Sequence, residues 1–559
     1  MVAATNSPAA QGLSIVSGPP LADEPGLGAL TLPGFLREVT RLYGEREALV
    51  WRTADGATRW SYGQLWERAV EVARALRAGG LGKDGRVGVL MTNRPEWLAA
   101  VFGTALAGGV AVTLSTFSTA PELDYLLRAS AVSVLLFERR VLSKDFAEML
   151  TELEPSQYPF LRRLALVGES APGIETWDDF LASGHAEPPE QVDAAAAAVL
   201  PSDAAVLFFS SGSTSKPKGI LSTHRGVCIQ LWRFRRMYGF SPDDHVRGWT
   251  ANGFFWSGNF AMVLGSTLAS GGSLVLQSTF DAAEALELMQ AERVSFPFAW
   301  PHQWTQLEGA PNWSQVDLSS VKFADFKTPI AHHPTVSGEW HEPGHAYGNT
   351  ETFTITTGYP ANTPPEVHAE SFGVALPGVT LKITDPLTGD VVPRGEPGEI
   401  SVKGPTLMLG YIGTPLDETL DAEGFFPTGD GGYLDDDGRL YWQGRLTDII
   451  KTGGANVSPR EVDETLISHS GVKVAQTVGV PHQTLGEVVV ACIVPHDGVV
   501  LDTEQLLAFA RQRLASYKVP RHVLFFREDE VALTGNAKIK AGELRELAAK
   551  RIAETAGLQ

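Results

Sequence analysis

The stretch that decides the fold is "FFSSGSTSKPKGILSTHRG", Phe208 to Gly226. An apolar run enters a string of small hydroxyl residues and glycines, and Lys216, Lys218 and Arg225 follow closely. Small residues let backbone amides approach a ligand, hydroxyls donate hydrogen bonds, and the lysines add local positive charge. That combination suits a chain of phosphates. It is not a Walker A loop, because the spacing GxxxxGK followed by Ser or Thr does not fit here. The alternative for the stretch alone is a surface loop with incidental lysines.

On the N-terminal side of this loop the pattern alternates from about Gly82. "GRVGVLM" reads as a strand, "PEWLAAVFGTALAGG" as a helix, "VAVTL" as a strand, "APELDYLLRAS" as a helix and "AVSVLLFE" as a strand. Such alternation predicts a layered α/β architecture with parallel strands. Trp97 to Leu114 carries no charge and is nearly long enough to span a bilayer. It breaks at Gly108-Gly109, and Pro95 suits a first helical turn, so it reads as a buried helix and a buried strand. No integral membrane span is expected. On the C-terminal side "DAAEALELMQAERV" reads as an amphipathic helix, while "VKVAQTVGVP", "EVVVACIVP" and "TEQLLAFARQRLA" form a compact α+β set.

The chain has 559 residues, too many for one ordinary domain, and 43% of them are apolar. Three parts are expected: a disordered tail over 1–28, a large N-terminal domain over 29–444 and a small C-terminal domain over 445–559. The formal charge of −20 argues against general nucleic-acid or anionic-membrane binding. Any polyanionic ligand must meet local positive groups. Cys228 and Cys492 show no metal or disulfide spacing, and the N-terminus lacks a signal-peptide pattern, so a cytoplasmic location is expected.

Further motifs follow the loop in order. They are "YGNTET" (Tyr347 to Thr352), "PTGDGGYLDDDGRL" around Asp430, "GRLTDIIKTGGANVSPREVD" (Gly444 to Asp463) and "LTGNAKIK" around Lys538. Together with the loop they resemble the adenylate-forming superfamily, which includes acyl- and aryl-CoA ligases, peptide-synthetase adenylation domains and beetle luciferases. The corresponding family patterns are TGxPKG, YGxTE, TGD, GRxxDxIKxxGxxxxPxEIE and TxxGKI. The resemblance runs from about residue 30 to 550 and is nearest to an acyl- or aryl-CoA ligase.

The resemblance implies an α/β fold: a large N-terminal domain of layered α/β subdomains, with a small mobile α+β C-terminal domain that presents two lysines in turn. It implies attack of a carboxylate on the α-phosphate of ATP, release of pyrophosphate, and transfer of the acyl group from acyl-AMP to CoA. Ser211, Gly212, Ser213, Thr214 and Lys218 are then expected on the β- and γ-phosphates. Thr350 is expected on the α-phosphate, Glu351 on Mg²⁺, Tyr347 against adenine, and Asp430 with Arg445 on the ribose. By the same resemblance Lys538 serves adenylation, Lys451 serves the second half-reaction, and Gly453-Gly454 line the CoA tunnel. Departures from the pattern are Ser215 and Ala537 for glycines, Thr447 at the hinge, and Asp463 as the last acid of its motif.

"TANGFFWSGNF", Thr250 to Phe260, sits where relatives build the carboxylate end of the acyl pocket. It holds no Asp to pair an α-ammonium, which argues against an amino acid substrate. Phe255, Trp256, Gly258 and Phe326 are expected to line the pocket, and Phe254, Phe260, Trp300 and Phe323 are further aromatic candidates. An apolar acid, fatty or aryl, fits such a wall and points to fatty acid metabolism. The alternative acceptor to CoA is a carrier protein or an amine, as for a stand-alone acyl-AMP ligase.

Overall fold

The computed structural model describes residues 12–54, 56–153, 155–210, 217–343, 345–368, 370–446, 450–452, 455–482, 485–514, 518–527, 530 and 541–556. The chain forms two compact units. One comprises Ser17–Thr380 and Val402–Phe426, and the other Met1–Val16, Leu381–Ser401 and Pro427–Gln559.

The larger unit is built on an eight-stranded sheet. Its order is Glu175–Thr176, Arg163–Val167, Val134–Glu138, Arg86–Leu90, Val110–Thr113, Ala204–Ser210, Lys218–Thr223 and Gly410–Tyr411. The first six strands run parallel, as the alternating helix and strand pattern requires, and the last two are antiparallel. Helix Pro95–Leu106 is buried from end to end, with Pro95 in its first turn. It approaches helix Tyr62–Ala78 closely at Gly103, where a Cβ would meet the Val72 side chain at 2.6 Å. The uncharged run from Trp97 is thus core, and no helix among the described residues is long and apolar enough to cross a membrane. A second sheet, ordered Phe296–Phe298, Arg247–Thr250, Ser273–Leu276, Glu47–Thr53 and Gly56–Ser61, is parallel except for its final hairpin.

The smaller unit holds a sheet ordered Ile15–Ser17, Thr380–Thr384, Gly398–Lys403, Phe426–Leu434 and Leu440–Arg445. Its C-terminal part is a sheet in which Gly486–Pro495 pairs with Val472–His482 and His522–Phe525. Alternation along Gly486–Pro495 sorts its side chains. Val489, Ala491 and Ile493 pack with Leu506 and Leu507 of helix Thr503–Arg511. Val488, Val490 and Cys492 pack with Leu544 and Ala548 of helix Ala541–Ala556. A strand buried on both faces reads as an unbroken apolar run, which is how "EVVVACIVP" appears.

One expectation needs correction, and a second differs from the division into compact units. The loose tail over 1–28 does not hold from residue 12 onward. Ile15–Ser17 is a strand, and the fully buried Glu24 carboxylate pairs with the fully buried Arg233 at 2.7 Å and with Arg236 at 2.9 Å. Few apolar residues mark this segment, so composition alone hides it. The boundary near Arg445 also differs from the compact units. Residues 427–444 belong with the C-terminal residues, because their strands close the sheet that Leu381–Ser401 helps to build.

Candidate active site

Strand Ala204–Ser210 delivers the chain to the hydroxyl-rich loop, and Lys218–Thr223 leads away from it, with Ser210 opposite Lys218. Ser211, Gly212, Ser213, Thr214 and Ser215 lie outside the described residues. Lys218 is exposed, and its Nζ stands 4.8 Å from the centroid of the Tyr411 ring. Tyr411 lies on the edge strand Gly410–Tyr411, opposite Ile220.

The "YGNTET" segment makes a single helical turn, Thr350–Thr352. Asn349 caps it reciprocally. The Thr352 amide donates to Asn349 Oδ1 at 3.0 Å, and the Asn349 amide donates to Thr352 Oγ1 at 3.1 Å. Gly348 is required by close approach, since a Cβ there would lie 1.7 Å from the Thr354 carbonyl oxygen. This turn fixes Glu351 on both sides. Its carbonyl accepts from the Met408 amide at 2.7 Å, and its Oε1 accepts from the Tyr411 hydroxyl at 2.7 Å. Tyr347 is only 4% exposed, and its backbone bridges to Thr357.

In the smaller unit Asp430 stands inside strand Phe426–Leu434, opposite Arg445 of the neighbouring strand. The turn geometry falls on its neighbour Gly429, with φ of 72°. Arg445 Nε lies 3.1 Å from Asp430 Oδ1, and its Nη1 donates to the Thr428 carbonyl at 2.8 Å. A buried carboxylate held this way can accept from paired hydroxyls. Lys451, in strand Ile450–Thr452, is exposed, and its amide donates to Glu487 Oε2 at 2.9 Å. Thr447, Gly453, Gly454, Ala537 and Lys538 lie outside the described residues.

The candidate acyl loop follows strand Arg247–Thr250. Phe255 and Trp256 pack at 5.5 Å between ring centroids, and a Cβ at Gly258 would meet nothing nearer than Met262 Sδ at 3.9 Å. Phe254 and Phe260 turn away into the core against Trp97. Phe323 belongs to an aromatic cluster with Phe240 and Trp340, and Trp300 packs on Phe298. Phe326 is 40% exposed and stacks edge-on with His332.

Residues 36–412 match the AMP-binding enzyme family, and residues 461–538 match the AMP-binding enzyme C-terminal domain. The chain belongs to the AMP-binding enzyme family. It is similar to feruloyl-CoA synthase of Amycolatopsis sp, with 33% identity over 88% of this chain and 94% of that one. It is also similar to a methyl-dioxo-octahydroindenyl-propanoyl:CoA ligase of Rhodococcus jostii (strain RHA1), with 31% identity over 92% of this chain and 98% of the relative. The solved anthranilate CoA ligase AuaEII, in complex with anthranoyl-AMP, shares its fold. The TM-score is 0.76 at 24% identity, over 95% of this chain and 99% of that one. The chain is an enzyme of the AMP-forming acid–thiol ligase class within the adenylate-forming superfamily.

Residues that the motifs do not mark surround the candidate acyl loop of this AMP-binding enzyme. Asn93, just after strand Arg86–Leu90, clamps the candidate acyl loop. Its Nδ2 donates to the Asn252 carbonyl at 2.8 Å, and its Oδ1 accepts from the Phe254 amide at 2.9 Å. Asn252 and Gln303 exchange two side-chain hydrogen bonds at 3.1 Å. Lys144 Nζ donates to the carbonyls of Thr116, Phe117 and Ser118, holding the loop whose Phe117 ring packs edge-on to Phe255 at 5.9 Å. Burial, with the neighbouring Asp325 charge, pushes the Glu342 carboxyl up to about 7. Position after a parallel strand is the only sequence signal for Asn93, because ligand-facing loops follow the carboxyl ends of such strands.

Among the described residues no three His, Cys, Asp or Glu side chains gather as a metal cluster. Glu351 supplies one hard, oriented carboxylate. That fits Mg²⁺, which takes one or two protein carboxylates and completes its shell with phosphate oxygens and water.

Proposed function

We propose that this enzyme activates an apolar carboxylic acid, fatty or aryl, with ATP and transfers the acyl group to CoA. The observation that carries the proposal is the constrained Glu351 turn beside the strand that leaves the phosphate-loop sequence. In the first half-reaction a carboxylate oxygen bonds to the α-phosphorus and pyrophosphate leaves with the cleaved bond's electrons. In the second, the CoA thiol bonds to the acyl carbon, AMP leaves, and the thiol proton is released. Positioning and charge neutralisation are the protein's main contributions to such phosphoryl chemistry.

Ser211, Gly212, Ser213, Thr214 and Lys218 hold the outer phosphates in this reading, Thr350 the α-phosphate, Asp430 and Arg445 the ribose, and Tyr347 adenine. Glu351 holds Mg²⁺, which neutralises phosphate charge when bound. Lys538 spans the carboxylate and α-phosphate in the first half-reaction, and Lys451 with Gly453 and Gly454 serves the second. Phe255, Trp256, Gly258 and Phe326 face the acyl group, and their apolar character supports an uncharged acyl chain or ring. The cysteines Cys228 and Cys492 are free and buried, which suits a reducing cytoplasm.

The two lysines give the test. Lys538→Ala is expected to abolish carboxylate-dependent pyrophosphate exchange while sparing thioester formation from supplied acyl-AMP. Lys451→Ala is expected to do the reverse. Equal failure of both variants in both assays contradicts the assignment, and acyl transfer only to a carrier protein or an amine moves the acceptor away from CoA.

A further inference from the structure

The Tyr411 side chain touches two groups that the proposed function assigns to separate tasks. Its hydroxyl donates to Glu351 Oε1 at 2.7 Å, and its ring face receives the Lys218 ammonium at 4.8 Å. The arrangement follows from register. Tyr411 lies opposite Ile220 in the antiparallel pair of Gly410–Tyr411 with Lys218–Thr223, so Lys218 is its diagonal neighbour on the same face. Backbone hydrogen bonds lock the register on both sides: Leu409 N to Leu221 O at 2.7 Å, and Ile412 N to Gly219 O at 2.9 Å. The Tyr411 ring packs edge-on to Phe426 at 6.4 Å and lies against the small core of Ile220, Met408 and Phe426. A third tie, the Met408 amide to the Glu351 carbonyl at 2.7 Å, brings the same segment onto the Glu351 turn.

We propose that Tyr411 is a positioning residue that orients the metal-binding carboxylate of Glu351 and the phosphate-binding ammonium of Lys218 as one unit, and so sets the affinity for magnesium-bound ATP. The inference rests on the roles proposed above for Glu351 and Lys218. A phenol held by its own core contact has few conformations to lose, so its hydrogen bond fixes the carboxylate with Oε1 engaged. Rigid support of this kind keeps a ligating group near its productive geometry. The ring face favours a cation electrostatically and steadies the lysine without neutralising it, which leaves its full charge for phosphate. One side chain thus couples two loops that lie far apart in sequence.

Two substitutions separate the two contacts. Tyr411→Phe removes the hydroxyl and keeps the ring; Tyr411→Leu removes both. Calorimetric binding of ATP to the full chain, with and without Mg²⁺ and without any carboxylic acid, reads the result independently of turnover. For Tyr411→Phe, affinity for ATP with Mg²⁺ is expected to fall about ten-fold, the scale of one hydrogen bond to a charged group, with less than about two-fold change without the metal. Tyr411→Leu is expected to weaken binding in both conditions. A Tyr411→Phe variant that binds both forms like the wild type overturns the inference, as does equal loss in both conditions, which marks a merely structural tyrosine. If wild-type binding is itself indifferent to Mg²⁺, the underlying reading of Glu351 fails and this inference with it.

Discussion

At the scale of single residues, the groups proposed to carry the chemistry are held by neighbours with little motif character. Glu351, Asp430 and Lys218 were proposed from the family-like motifs they stand in, Lys218 also from the locally basic, hydroxyl-rich stretch around it. Asn93 was not, because an asparagine after a strand looks like any loop residue until its two partners are known. Both of its hydrogen bonds go to the backbone of Asn252 and Phe254, so the side chain pins the first turn of the candidate acyl loop. Asn93→Ala leaves an amide and a carbonyl of that loop without their side-chain partner, each worth about 1 kcal/mol. Steady-state kinetics are expected to show KM for the carboxylic acid rising roughly ten-fold, with KM for ATP nearly unchanged. An equal rise in both constants would show that Asn93 acts on general stability instead.

At the scale of elements, helices and strands around the phosphate loop were readable from period and composition, and their joints were not. "APELDYLLRAS" forms helix Ala120–Ser130 residue for residue, because Thr119 with Glu122 signals its start. The joint between helix Leu32–Tyr43 and helix His224–Met237 gave no such signal. The Leu32 amide, one of the first-turn donors that a helix leaves unpaired, donates to His224 Nδ1 at 3.2 Å. Burial lowers the His224 imidazole to about 4, with Asp203 opposing the shift. The folded state therefore keeps this ring neutral while the unfolded chain protonates it near 6.5. Its contribution is complete above about pH 6.5 and is lost progressively as pH falls toward about 4, by up to about 3 kcal/mol. Urea unfolding at pH 7 and pH 4.5 is expected to show a smaller loss for His224→Asn, which keeps an acceptor but does not titrate. A loss equal to that of the wild type would contradict this account of the joint.

At the scale of the whole molecule, a chain with a formal charge of −20 must meet any polyanion through local cations, the role proposed for Lys218 and its neighbours. The order of its motifs alone made the superfamily legible. The seventeen or so residues after position 11 were misread because their order comes from one buried ion pair and a short edge strand, neither visible as a hydrophobic pattern. The boundary read near Arg445 differs from the division into compact units because a sheet can gather strands from distant parts of a chain, which local composition does not record. The proposed chemistry reduces to one bond: a carboxylate oxygen joins the α-phosphorus of ATP. Mass spectrometry of nucleotide products formed from an apolar acid labelled with ¹⁸O in its carboxylate, with ATP, Mg²⁺ and CoA, tests it most directly. AMP carrying one labelled oxygen, with unlabelled pyrophosphate, is the expected result; ADP as the product, or label appearing in orthophosphate, would rule the proposed reaction out.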